Sequence, residues 1–97
     1  MFILITYDIN VTSNLGQRRL RKVAKICLNY GQRVQNSVFE CKVTEAELLV
    51  IKKQLTDVID IEKDSLRFYR LGDSYDKKVQ HIGAKQSYNF NDALIVD

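Results

Sequence analysis

The first residue with chemistry to offer is Asp8, which follows the apolar run FILITY at residues 2–7. A carboxylate in that place stands at the carboxyl end of a strand, beside the start of the next helix. Aspartate also caps turns and helices there, so its type alone does not set its role. Its surroundings say more. No acidic residue occurs between Asp8 and Glu40, a stretch that holds Arg18, Arg19, Arg21, Lys22, Lys25 and Arg33. In a chain of net charge +3, such a one-sign segment reads either as the footprint of a polyanion or as a solvated helix face balanced from elsewhere. On charge alone the two readings stand level. A carboxylate beside a basic helix suits a phosphodiester substrate with a divalent ion. One carboxylate holds Mg²⁺ weakly, because the ion takes an octahedral shell of oxygens and keeps several waters. A two-fold dimer would bring one Asp8 from each subunit to a shared axis. The ion would then lower the pKa of a bound water and clamp the scissile phosphate.

Arg18, Arg19 and Arg33 flank the same end of the fold as Asp8 if the helix packs back on the first strand. Arginine is shaped for bidentate contact with phosphate, and as a set with no acid nearby the three favour that role. Tyr7, Tyr30, Phe39 and Tyr69 are mostly core or interface residues, with room for one or two to stack on bases. His81 is the only histidine and has no ligand partner at metal spacing. There is no glycine-rich phosphate loop, no Ser-His-Asp arrangement and no nucleophilic cysteine context. Cys27 and Cys41 are too few for a zinc site and lie in apolar surroundings, as reduced core residues of a cytoplasmic protein do.

The elements that must position these residues follow from periodicity. A length of 97 residues bounds the chain to one domain, 1–97, with a single modest core. The apolar start is too short for a signal peptide, and no run reaches membrane-spanning length. Residues 2–7 read as a buried strand. Asn14 with Gln17 suggests a capping box. A helix fits 15–30, with Leu20, Val23, Ala24 and Cys27 inward and Gly31 as its C-cap. Residues 33–43 are strand-like without one strict alternation, so a bulge near Asn36 bends one strand or splits it in two. Thr44 and Glu47 form a second capping box, opening a helix to about Leu55 with Leu48, Ile51 and Leu55 inward. Residues 57–64 form a loop with four acids. Strands follow at 66–71, 79–82 and 93–96. Two helices and four or five strands fit an α+β, two-layer, ferredoxin-like βαββαβ sandwich with an extra C-terminal strand.

Five segments carry a resemblance to a known family. LITYDIN, GQRRLRKVAK, YGQRVQNSVFEC, DSLRFYRLG and VQHIGAK are similar to the CRISPR-associated Cas-two family, and the whole chain resembles the branch that travels with type I-C systems. The resemblance implies a ferredoxin-like homodimer in which the last strand, here 93–96, adds to the partner's sheet. It implies that Asp8 is the catalytic and metal-binding position, with Mg²⁺ or Mn²⁺ as the ion. Arg33 and Phe39 match family positions, as does Tyr7 before the aspartate, and Arg18 and Arg19 are carried over as nucleic-acid contacts. The implied activity is metal-dependent endonucleolytic cleavage of double-stranded DNA or single-stranded RNA. The implied setting is spacer acquisition, where the family bridges dimers of the Cas-one integrase and supports DNA. A non-catalytic scaffold in that complex is the alternative. A small-molecule regulatory domain on the same fold is a third, disfavoured by the acid-free basic segment.

Overall fold

The structure is a computed structural model that describes residues 1–83, apart from the side chains of Tyr75 and Asp76. Strand β1 runs Phe2–Asp8, helix α1 Asn14–Leu28, strands β2 Gly31–Gln35 and β3 Val38–Lys42, helix α2 Glu45–Val58 and strand β4 Ser65–Gly72. A 3-10 turn at Tyr75–Lys78 follows. The strands form one antiparallel sheet in the order β2-β3-β1-β4. With both helices on one face, this is the ferredoxin-like βαββαβ sandwich.

Alternation in β1 divides the sheet. Ile3, Ile5 and Tyr7 are buried toward the helices, and Phe2, Leu4, Thr6 and Asp8 point the other way. Cross-strand neighbours share a face, so Ile3 meets Cys41 and Ile5 meets Phe39 in the core layer. Val23 and Cys27 of α1, one turn apart, join Leu48, Ile51 and Leu55 of α2 over that layer. Leu66 and Phe68 of β4 pack on its margin, while Arg70 on the same face reaches Glu45 at 2.6 and 3.0 Å. Among the described residues, no helix is long and apolar enough to cross a membrane.

Local chemistry sets the element ends, with some departures from expectation. The Thr44–Glu47 capping box is present in both directions, at 2.9 and 3.1 Å, and α2 runs on to Val58 rather than stopping near Leu55. For α1 the cap is Ser13, whose hydroxyl accepts from the Gly16 N–H at 3.1 Å; Asn14 is already helical. Gly16 is needed there, since a Cβ would run into the Asn10 carbonyl. Asn29 ends α1, and Gly31 opens β2 instead of capping the helix. The absent Cβ at Gly31 lets its backbone lie close against Glu40 and Cys41 of β3. Residues 33–43 are two strands, turned at Asn36–Ser37, with a register shift between Arg33 and Gln35. Residues 79–82 are not a strand. The strand expected at 93–96 lies outside the described residues.

Candidate nucleic-acid interface around Asp8

Asp8 is the last residue of β1, lies opposite Ser65 of β4, and is exposed. Its carboxylate has no hydrogen bond or ion pair among the described residues.

The backbone leaving Asp8 is tightly held. Asp64, the residue before Ser65, has a side chain that is 0% exposed. Its Oδ1 accepts from the Asn10 N–H at 2.9 Å and its Oδ2 from the Asp60 N–H at 2.9 Å. Arg19 donates to the same carboxylate from Nε at 2.7 Å and from Nη2 at 3.3 Å. The Arg19 Nη2 also reaches the Asn10 carbonyl at 3.4 Å. Burial alone would raise the Asp64 carboxyl, but the Arg19 hydrogen bonds and the two backbone N–H donors outweigh it and hold the group below its ordinary value. Asn10 in turn holds Thr12, whose N–H and hydroxyl donate to Asn10 Oδ1 at 3.0 and 2.7 Å. The expected phosphate contact Arg19 is thus committed to Asp64, and its fork already has a carboxylate.

Arg33 occupies a second place. It lies across β2 and β3 from Phe39 and stacks over that ring at 5.2 Å from the centroid. Phe39 is 0% exposed and stacks on Tyr7 with centroids 6.2 Å apart. Tyr7 is also buried, and its hydroxyl donates to the Asn36 carbonyl at 3.2 Å. Burial pushes the Tyr7 phenol up, against a smaller pull from Arg33. Tyr7 and Phe39, expected as nucleic-acid contacts, are placed in the core beneath Arg33, with little of either ring exposed. Arg33 itself is exposed and has no acidic partner among the described residues.

Arg18, Arg21, Lys22 and Lys25 are exposed along α1, at the three- and four-residue spacing of one helical stripe. None is ion-paired among the described residues. At 1.5 Å per residue the stripe spans about 10 Å, the reach of two or so neighbouring backbone phosphates. Arg18 and Arg33 are therefore placed with a free charge, and Arg19 is not.

The metal question is narrower. Among the described residues, no group of three acidic, histidine or cysteine side chains is placed to hold an ion. Asp8, expected as the metal-binding position, is open to solvent and has no pair of further acidic, histidine or cysteine side chains beside it among the described residues. Asp64 is the functional candidate the sequence reading left inside an undifferentiated acidic loop. The available signal was its place directly before a strand that pairs with β1.

Comparison with known proteins agrees with this architecture. Residues 1–79 match the family model described as CRISPR associated protein Cas2. The CRISPR-associated endonuclease Cas2 of Halalkalibacterium halodurans is 61% identical over 95 residues, covering 98% of this chain and 99% of that protein. The CRISPR-associated endoribonuclease Cas2 of Nitratidesulfovibrio vulgaris is 50% identical over 96 residues, covering 99% and 94%. The crystal structure of Streptococcus pyogenes Cas2 at pH 6.5 superposes with a TM-score of 0.77 at 54% identity, covering 86% of this chain and 100% of that one. The chain belongs to the CRISPR-associated Cas2 family.

Proposed function

We propose that the protein is a metal-dependent endonuclease of a CRISPR system, of the type I-C branch, acting in spacer acquisition as a homodimer together with the Cas-one integrase. The observation that carries the reading is an exposed carboxylate with no partner of its own among the described residues, at the end of β1 and one short loop before an acid-free basic helix. The names of the two relatives, one an endonuclease and one an endoribonuclease, support a phosphodiester substrate. Arg18 and Arg33 hold backbone phosphates, and the α1 stripe follows the strand away from Asp8. Such contacts position nucleic acid without reading its sequence. Asp8 is the acidic ligand, and a second copy contributes the other. A bound Mg²⁺ or Mn²⁺ supplies charge neutralisation and an acidified water.

A bridging role without cutting is the second reading. It needs only the exposed cations of α1 and Arg33 and no metal site. Both are tested by comparing wild type with Asp8→Ala on duplex DNA and single-stranded RNA, with Mg²⁺ and with a chelator. Cleavage that needs the ion and Asp8 is the expected result. Equal trace cutting by both proteins would leave the bridging role. In either case binding should weaken by orders of magnitude between roughly 50 and 200 mM salt, as contacts to several phosphates require.

A further inference from the structure

Among the described residues Asp8 has no side-chain partner, so what they contribute to fixing its carboxylate acts through the chain on either side of it. Both sides are gripped by one ion pair. Downstream in sequence, Asn10 is held at its N–H by Asp64 and at its carbonyl by Arg19. Across the sheet, Ser65 faces Asp8, and Asp64 is the residue that feeds it. Asp64 also closes its own loop, accepting from the Asp60 N–H while its backbone N–H donates to the Asp60 carbonyl at 2.8 Å. Its carboxylate thus joins the β1–α1 loop, the second turn of α1 and the α2–β4 loop at one buried point.

We propose that Asp64 and Arg19 are a positioning pair for Asp8, and that Arg19 serves nucleic-acid cleavage through Asp64 rather than by touching phosphate. This rests on the reading of Asp8 as the reacting carboxylate. The carboxylate accepts four donor contacts and has no donor of its own. Asp64→Asn would place an amide NH₂ against the Asn10 or Asp60 N–H, donor facing donor. Arg19→Lys keeps the charge but loses the fork that spans both oxygens and the Asn10 carbonyl. Each variant should loosen the hold of Asp64 on the loop at Asn10, the segment that leaves Asp8.

The test uses the intact protein and three variants, Asp64→Asn, Arg19→Lys and Arg18→Gln. Cleavage is read as separate kcat and KM, duplex binding as a function of salt, and local order as amide hydrogen exchange. Asp64→Asn and Arg19→Lys should each lower kcat about ten-fold or more, leave KM and the salt slope unchanged, and speed exchange at residues 9–12 with β3 still protected. Arg18→Gln should instead weaken binding and reduce the salt slope by about one. Arg19→Lys matters because it should fold even if Asp64→Asn does not. The proposal is overturned if Arg19→Lys keeps full kcat, or if its loss lies in KM and the salt slope. Should wild type itself not cut, the nuclease reading fails and the role in cleavage is overturned with it; exchange then decides only whether the pair holds the β1–α1 loop, faster exchange at residues 9–12 showing that it does and unchanged protection that it does not.

Discussion

The placement of Phe39 can be tested against the role a base-stacking ring would have. Phe39 is fully enclosed, with Tyr7 on one side and the Arg33 guanidinium over the ring. Phe39→Ala deletes a whole buried ring, which costs about 3–5 kcal/mol in well-packed cores. Domains of this size have total stabilities of about 5–15 kcal/mol, so the variant should be marginal. At roughly 4–8 °C per kcal/mol, the melting temperature should fall by at least about 12 °C. Phe39→Leu keeps most of the apolar volume and should cost about 1 kcal/mol. That milder variant separates the two roles. A ring that stacked on a base would forfeit about 1–3 kcal/mol of affinity when removed, or roughly 5- to 150-fold in Kd. A core ring should change duplex affinity by less than about three-fold, through the looser seat of Arg33. Urea unfolding followed by circular dichroism gives the stability, and fluorescence anisotropy with labelled duplex gives the affinity. A Phe39→Leu protein with undiminished stability and a ten-fold weaker Kd would refute the burial argument.

Two further outcomes follow from the buried titratable groups. Asp64→Asn should destabilise the protein at pH 7 by about 3 kcal/mol, because it breaks a buried pair and leaves Arg19 uncompensated. The folded-state carboxyl lies below its unfolded value, so its contribution is complete above about pH 4 and is lost as pH falls through the folded value. The gap between wild type and variant in urea unfolding should therefore narrow as pH falls below about 4, and a gap that stays constant would refute the linkage. Burial pushes the thiols of Cys27 and Cys41 up to about 12, with Arg33 pulling slightly the other way at Cys27. Neither should react with a thiol reagent at mild alkaline pH until urea is added, and rapid native labelling of either would contradict the packing.

What the sequence made legible was local. The Thr44–Glu47 box and the Leu48, Ile51, Leu55 spacing are readable because capping and helical burial depend on residues within two turns. Asp8 at the end of an apolar run is readable for the same reason. The hairpin at Asn36–Ser37 was left open between a bend and a split, since it contains neither glycine nor proline and its register shift breaks the alternation. That same break hid which face Phe39 takes. Ser13 and Asn14 are both good cap residues, and the chain uses Ser13, with Gly16 lying so close to Asn10 that a Cβ would not fit, a contact no cap rule contains. Arg18 and Arg19 are adjacent and chemically identical. Their division into a free cation and a paired one depends on Asp64, 45 residues away. In sequence, Asp64 is one of four acids in eight residues, and only the fold distinguishes it.

The strand order carries a consequence for how the chain is made. Strand β1 is flanked on both sides, by β3 and by β4, yet it is synthesised before either. Gly72, the end of β4, follows Asp8 by 64 residues. At translation rates of about 5–20 residues per second, the segment FILITY waits roughly 3–13 s before its second neighbour exists. During that interval the nascent chain carries an apolar strand with at least one edge unpaired. Those seconds are when a ribosome-bound chaperone would have most to do, and they pass before the Asp64–Arg19 pair can close the loop behind Asp8.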